Sequence, residues 1–310
     1  MQRRHFLRAT AAAAVAGIAP FAASAQAAAE AGASPRSRKF KLRYAPHFGM
    51  FEASAGKDLL NQLRFMAEAG FTALEDNNLM KRPASLQAQI GETLTRLGMT
   101  MGVFVIDAGD NWKTSYTTGR KEFVAALVEA CRKAVETAKR VNAKWMTIVP
   151  GYFDRSLPMG IQTGHVIDAI RAGAEVMEPH GLVLVMEPLS DNPDLFLRTS
   201  DQAFAIARAV NSPACKVLYD IYHMQRNEGF LTEHIDLAWD EIAYFQVGDV
   251  PGRNEPTTGE INYRNLFRYI HHKMQADGRD FVFGMEHGNA APGIEGERAL
   301  IRAYVEVDDF

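Results

Sequence analysis

The chain has 310 residues, of which 47% are hydrophobic and 23% charged, and it carries a formal net charge of −3. This composition is that of an ordinary globular protein, long enough for one large α/β domain or two small ones. The acidic balance argues against nucleic acid as a partner, because phosphate binding depends on clustered lysine and arginine. Beyond the N-terminus, no apolar run is long enough to span a bilayer, so we expect no stable membrane insertion.

Residues 1–25 have the pattern of an export signal. A twin arginine, Arg3 and Arg4, precedes an alanine-rich apolar stretch, and ASA at residues 23–25 is a small-x-small cleavage pattern. A twin-arginine export signal fits best, since the apolar stretch is short and weakly hydrophobic for an ordinary secretory signal or a membrane anchor. We therefore expect a periplasmic protein. Removal of this segment takes away three arginines and no acidic residue, which lowers the formal charge to −6.

Residues 26–39 are rich in Ala, Gly, Ser and Pro and predict a flexible lead-in. From residue 40 to residue 310, eight apolar runs alternate with stretches of helical periodicity. The runs are FKLRYAPHF (40–48), FTALEDN (71–77), TMGVFVID (100–107), AKWMTIVPG (143–151), LVLVMEPLS (182–190), CKVLYDIYH (215–223), IAYFQVGDV (242–250) and FVFGMEHG (281–288). Eight strands, each followed by a helix, predict an α/β fold, a single-domain (β/α)8 TIM barrel whose last helix covers residues 295–306. A doubly wound open sheet is the alternative, but no glycine-rich phosphate turn follows an early strand.

The run LVLVMEPLS ends in a charged residue at the point where a buried strand leaves the core. Glu187 follows five apolar residues, and Pro188 marks the end of the strand because proline cannot donate to a ladder. An ionised carboxylate at that depth is costly unless it is paired or bound to a metal. We therefore expect a partner facing Glu187.

Polar residues end four consecutive late strands in the same way. They are Glu187, Asp220, Gln246 and Glu286. Singly, each has a structural explanation, such as a carboxylate bonded to a loop or a buried amide that satisfies backbone groups. In a TIM barrel, however, all four lie at the face that carries the active site. Together they predict a divalent metal ion, Mn²⁺ or Mg²⁺ by their oxygen-rich character, with Co²⁺ and Zn²⁺ as compatible alternatives.

Other polar residues fall at the same mouth of the barrel. His223, three residues beyond Asp220, is predicted to bond a substrate oxygen, the alternative being a histidine packed at the rim. Arg253 is predicted to clamp substrate through its guanidinium, and a salt bridge to Glu255 or Glu260 is an equally weighted alternative. His47 and Glu75, at the ends of the first two strands, are predicted to line the pocket. Trp112 and Tyr152 are predicted to form apolar walls.

The segments MEPLS, YDIYHMQ, FQVGDVPGRNEPTTGEINY and GMEHG, in this order and spacing, carry a family resemblance. They resemble the hydroxypyruvate isomerase branch of the xylose isomerase-like TIM barrels, a group that includes the ketose 3-epimerases. The resemblance extends from about residue 43 to the C-terminus. It implies a metal held by the four strand-end residues and a substrate contact for Arg253. It further implies that Glu187 and Glu286 are the acid/base pair of an enediolate reaction on a sugar or keto acid. Glutamine at position 246 resembles the isomerase side, since the epimerases typically have histidine there.

The sequence departs from that pattern after the last glutamate. Many hydroxypyruvate isomerases continue with Tyr-Lys-Pro, whereas this chain continues with His287, Gly288 and Asn289. The missing lysine and the predicted export favour sugars, oxidised sugars or glycosides over hydroxypyruvate as the substrate.

Two further functions stay open at this point. One is a metal-dependent lyase or hydratase that acts on 3-keto sugars or glycosides with the same carboxylates. The other is a non-catalytic sugar-binding barrel, against which the presence of two strand-end glutamates argues. A nuclease of the endonuclease IV type would need a histidine-rich zinc cluster and a basic surface, and the sequence has neither. The sequence is compatible with a homo-oligomer but does not determine the oligomeric state.

Overall fold

The computed structural model describes residues 40–110, 113 and 115–310. The expected signal at residues 1–25, the lead-in at 26–39 and Trp112 therefore lie outside the described residues. Within the described part of the chain, no helix is both long enough and apolar enough to cross a membrane.

In the described part of the chain, nine short strands occupy eight positions around the barrel. They are β1 (Arg43–Ala45), β2 (Ala73–Leu74), β3 (Thr100–Met101), β4 (Phe104–Val105), β5 (Trp145–Ile148), β6 (Val183–Met186), β7 (Cys215–Asp220), β8 (Ile242–Gln246) and β9 (Val282–Gly284). The run TMGVFVID predicts one strand, but the structure splits it into β3 and β4 at Gly102. A side chain at Gly102 would collide with the Tyr244 hydroxyl and the Leu74 carbonyl, so the chain passes closely over its neighbours here.

All strand pairs are parallel and follow the chain order. One sheet has the order β1-β9-β8-β7-β6-β5-β4, and β2 pairs with β3. A bridge between His47 and Glu75 joins the ends of β1 and β2, and the Asp76 N–H donates to the Val103 carbonyl beside β4 at 3.2 Å. This circular order confirms the predicted TIM barrel.

Ten α-helices follow or flank the strands. They are α1 (Glu52–Ala55), α2 (Leu59–Glu68), α3 (Ala84–Leu97), α4 (Lys121–Val141), α5 (Met159–Met177), α6 (Ser200–Val210), α7 (Ile221–Asn227), α8 (Leu231–Ala238), α9 (Tyr263–Asp277) and α10 (Gly293–Asp308) among the described residues. Helix α4 shows why they pack on the sheet, since it buries Leu127, Cys131, Ala134 and Ala138 at helical spacing. The predicted last helix is present and slightly longer than expected.

The barrel interior is a small apolar layer separate from the larger core. Its members are Ala45, Ala73, Val103, Trp145, Val183, Val185, Leu218, Tyr244 and Val282. Side chains alternate along a strand, so a residue two positions beyond an interior residue faces the same side. Val185 precedes Glu187 by two positions, as Leu218 precedes Asp220. Glu187 and Asp220 therefore face the same side of the sheet as the interior residues, and they lie together at the carboxyl ends of the strands.

Candidate metal centre and active site

Three carboxylates and one imidazole converge at the carboxyl ends of the late strands. Glu187, Asp220, His223 and Glu286 each offer an atom that lies within 4.8 Å of the others. Asp220 and His223 are fully buried, and the residue exposure of Glu187 is only 6%. The sequence predicts this convergence for the three carboxylates. Such a set of oxygen atoms suits a divalent cation.

Of the residues that the structure describes, one cation, Arg253, faces these carboxylates. Arg253 Nη2 lies 3.1 Å from Asp220 Oδ2 and 2.6 Å from Glu286 Oε2, and its Nε donates to the Glu286 carbonyl at 3.1 Å. Among the described residues, Arg253 pairs with neither Glu255 nor Glu260, which instead accept from the Ala290 N–H and from Gln225. The guanidinium of Arg253 is therefore shared by several carboxylates.

Burial and repulsion act on both glutamates. Burial raises the pKa of Glu187 well above its ordinary value, and the Glu286 and Asp220 carboxylates add to that rise. Burial raises the pKa of Glu286 to about 7, although Arg253 opposes it. A bound divalent cation would favour the ionised forms of both groups. The cluster therefore has a free-energy reason to accept one.

His223 is a hydrogen-bond donor in this arrangement. The backbone N–H of Ser190 donates to its Nδ1 at 3.2 Å, and the Ser190 hydroxyl lies 2.8 Å from the same atom. Burial lowers the pKa of His223, so the ring is neutral near pH 7 and its proton sits on Nε2. A histidine that binds a metal normally donates, rather than accepts, through its other nitrogen. Nε2 has no hydrogen-bond partner in the described part of the chain, which leaves it available to a substrate oxygen.

Gln246 is held by residues beneath the cluster. Its Nε2 donates to Glu75 Oε1 at 2.8 Å, and Glu75 Oε2 accepts from the Tyr244 hydroxyl at 3.1 Å. These contacts fix the amide so that Oε1 is the free end, and this buried atom has no hydrogen-bond partner among the described residues. Gln246 is the register partner of Asp220 at the strand ends, so an unpaired buried oxygen here fits the predicted role of a metal ligand. Glu75 thus supports Gln246 from below.

The early strand ends are placed less uniformly than the late ones. The two ring nitrogens of His47 lie 2.9 Å and 3.1 Å from the carbonyl oxygens of Phe48 and His287, so the ring ties β1 to the segment after β9. Asn77, which the sequence analysis does not single out, donates to Glu286 Oε1 at 2.8 Å. Its position two residues beyond Glu75, in FTALEDN, is the signal that could have identified it.

The loop that carries Arg253 folds around one buried acid. The Asp249 carboxylate accepts from the N–H groups of Val250, Gly259 and Ile261 at 2.9, 2.9 and 3.1 Å. Arg253 itself has a φ of 50°, in the left-handed region that most residues avoid. The motif VPGRNEPTTGEINY therefore builds a rigid turn that aims the guanidinium at the carboxylates.

A cavity of about 220 Å³ opens onto the cluster. Its described lining residues are Asn77, Val105, Thr147, Val149, Glu187, Leu189, Asp191, His223, Arg253 and Glu286. The volume is small for a ligand site, which favours a ligand of a few carbon atoms. His47 and Glu75 are not in this lining, and Tyr152 borders a different surface depression.

Comparison with known sequences gives a consistent result. The model of the family described as Xylose isomerase-like TIM barrel matches residues 63–304. Hydroxypyruvate isomerase of Escherichia coli is 38% identical over 107 residues, which cover 34% of this chain and 42% of that protein. The 2-oxo-tetronate isomerase of Cupriavidus necator is 31% identical over 233 residues, which cover 72% of this chain and 85% of that protein. The match to the first relative thus spans less than half of its length.

Solved structures resemble the chain in fold. An AP endonuclease, family 2, from Brucella melitensis superposes with a TM-score of 0.69 and 24% identity, covering 82% of this chain and 96% of the other. A 3-keto-D-glucoside 4-epimerase from E. coli superposes with a TM-score of 0.70 and 16% identity, covering 86% and 98%. At these identities the likeness extends to the barrel alone.

Proposed function

We propose, from the fact that this chain belongs to the xylose isomerase-like TIM barrel family, that it is a metal-dependent isomerase or epimerase of a sugar or keto acid. The relatives named hydroxypyruvate isomerase and 2-oxo-tetronate isomerase support the reaction class. The observation that carries the proposal is the convergence of three carboxylates within 4.8 Å around one arginine. Crowded carboxylates with raised pKa values are typical of catalytic sites.

Glu187, Asp220, Gln246 and Glu286 would hold the metal, which we propose to be Mn²⁺ or Mg²⁺. The partnerless Oε1 of Gln246 and the raised pKa values of the two glutamates support this assignment. When bound, a divalent cation polarises a substrate carbonyl and stabilises the negative charge that develops on its oxygen.

Glu187 and Glu286 are the proposed acid/base pair. One carboxylate removes the proton from the carbon next to the carbonyl and leaves an enediolate. Return of that proton to the neighbouring carbon, with a hydroxyl proton moving between the two oxygens, isomerises the substrate. Delivery of a proton from the other glutamate to the opposite face of the same carbon epimerises it, and the first glutamate keeps the proton that it removed. A bound cation would lower the pKa of Glu286 from its metal-free value of about 7, and the ionised glutamate can then take up the proton.

His223 and Arg253 complete the proposed site as orienting groups. The proton on His223 Nε2 points at the same space as the Asp220 and Glu187 oxygens, 3.4 Å and 3.9 Å away. It can donate to the substrate oxygen that gains charge. The Arg253 side chain lines the same cavity and holds Glu286 in place through a 2.6 Å contact between Nη2 and Oε2.

Proton NMR in D₂O tests this proposal. The manganese-loaded protein is incubated with hydroxypyruvate, several ketoses and a 3-keto glycoside, and each sample is repeated with EDTA. We expect EDTA-sensitive uptake of deuterium at the carbon next to the carbonyl, or a new isomer, with at least one compound. Elimination products would point to a lyase instead. No exchange with any compound would contradict the proposed reaction.

Export is a separate part of the proposal. Residues 1–25 carry the twin arginine and the small-x-small pattern, which support translocation of the folded protein to the periplasm. Replacing Arg3 and Arg4 by lysine should retain the protein in the cytoplasm, as measured by cell fractionation. Periplasmic recovery of that variant would contradict the twin-arginine route.

A further inference from the structure

The cavity carries one acid that neither the metal site nor the acid/base pair uses. Asp191 belongs to the segment after β6, and 41% of its side chain is exposed. Its Oδ2 lies 3.8 Å from His223 Nε2, and its Oδ1 lies 3.8 Å from Arg253 Nη1. Asp191 therefore stands at the solvent end of the cavity, beside the two groups proposed to orient the substrate.

The positively charged side chain in the cavity already contacts protein carboxylates. Arg253 is the single lysine or arginine among the described lining residues. Its Nη2 serves Asp220 and Glu286, its Nε serves a carbonyl, and its Nη1 faces Asp191. No described cation is left to pair with an anionic substrate.

The charge balance stays negative even with a metal ion. A divalent cation and Arg253 supply three positive charges, whereas Glu187, Asp220, Glu286 and Asp191 supply four negative ones. His223 Nδ1 accepts from the Ser190 N–H, as a neutral ring does, so His223 does not alter this balance. Solvent weakens the repulsion at the partly exposed Asp191 but does not remove it, so a carboxylate on the substrate would meet a net repulsion at this end of the cavity.

We propose that Asp191 is a specificity-determining residue that makes the cavity select uncharged polyhydroxy carbonyl compounds over their carboxylate counterparts. This inference rests on the proposed function. The Asp191 oxygens accept hydrogen bonds from substrate hydroxyl groups and repel a carboxylate in the same place. A hydroxyl group satisfies this acceptor, and a carboxylate cannot, since it has no proton to donate.

Two matched pairs of compounds test this inference. Dihydroxyacetone and hydroxypyruvate differ in a hydroxymethyl group against a carboxylate, and erythrulose and 2-oxo-tetronate differ in the same way. The manganese-loaded protein is compared as wild type, Asp191→Asn and Asp194→Asn. Asp194 is a suitable control because it lies three residues away, pairs with Arg155 at 2.6 Å and borders a different depression. Both substitutions change the net charge equally.

We expect wild type to prefer the uncharged member of each pair in kcat/KM for deuterium exchange and in calorimetric affinity. Asp191→Asn should raise kcat/KM and affinity for the carboxylates by about tenfold and should not raise them for the uncharged compounds. Asp194→Asn should leave both ratios unchanged. A wild-type preference for carboxylates, or equal effects of the two substitutions, would overturn the inference.

The two readouts separate this inference from the proposed function. Absence of deuterium exchange in every sample would contradict the isomerase or epimerase reaction. The calorimetric affinities would still decide the role of Asp191, because selection by charge acts on binding whether or not a proton is transferred. Unchanged affinity ratios in Asp191→Asn would then reject the role of Asp191 on their own.

Discussion

The two ends of the barrel treat buried carboxylates in opposite ways. At the amino ends of the strands, Glu241 is 5% exposed and receives two cations, Lys216 Nζ at 2.5 Å and Arg208 Nη1 at 3.3 Å. At the carboxyl ends, Glu187, Asp220 and Glu286 share Arg253. Pairing with its own cations offsets the cost of burying a carboxylate, whereas carboxylates that share one cation repel one another. The comparison indicates that the carboxyl-end cluster of Glu187, Asp220 and Glu286, called the upper cluster below, favours a ligand that supplies positive charge.

The largest effect should come from removing one member of the acid/base pair. Glu187→Gln and Glu286→Gln should each lower kcat by about 10³-fold, because the amide cannot take up the proton. Each should leave the metal-free protein as stable as wild type or more stable, since one repelling charge is lost. Steady-state kinetics and thermal unfolding check both statements. A variant with full activity would remove that glutamate from the mechanism.

Removal of the metal should make the stability of the protein depend on pH, because the carboxylates then repel one another when they are ionised. The folded-state pKa of Glu286, about 7, exceeds its ordinary value of 4.5, and that of Glu187 is also raised. Their favourable contribution to folding is thus present below about pH 4.5 and is lost as pH rises through about 7. We expect the Tm of the EDTA-treated protein to fall between about pH 5 and about pH 8. The manganese-loaded protein should show a much smaller fall. Parallel profiles with and without metal would contradict this account.

Glu241→Gln should have the converse effect, on stability and not on function. Loss of the carboxylate charge leaves Lys216 without its partner and should lower the free energy of unfolding by roughly 1–3 kcal/mol. Urea unfolding measures this change, and metal content and kcat should stay at wild-type values. A loss of metal binding would mean that the two ends of the barrel are not independent.

A smaller effect is expected at the support of His223. Ser190→Ala removes the hydroxyl but keeps the backbone N–H that donates to Nδ1. Since one of two donors remains, kcat/KM should fall by about two- to fivefold, which corresponds to one weak hydrogen bond. A fall beyond tenfold would show that the backbone donor alone does not hold the ring in its Nε2–H form.

The upper cluster is more predictable from the sequence than its surroundings. The ends of the late strands are visible in the sequence, because an apolar run that stops at Glu187 or Glu286 marks the point where a buried strand leaves the core. Alternation with period two then brings these residues to one face. The partners of Gln246 follow no such rule, since Glu75 and Tyr244 reach it from different strands.

The loop contacts could not be predicted for a different reason. Ser190 and Asp191 lie beyond the end of β6, where side-chain direction depends on the path of the loop. The split between β3 and β4 depends on a close approach of Gly102 to Tyr244, which is a tertiary contact and has no local pattern. The sequence singles out Arg253, but its contacts with Asp220 and Glu286 are visible only in the folded chain.

Calorimetric titration of the metal-free protein with Mn²⁺ tests the central claim most directly. We predict one saturable site per chain, with affinity that is strongly reduced in Asp220→Asn and unchanged in Glu241→Gln. Absence of saturable binding, or equal affinity in Asp220→Asn and wild type, would contradict the assignment of the crowded carboxylates as a metal site.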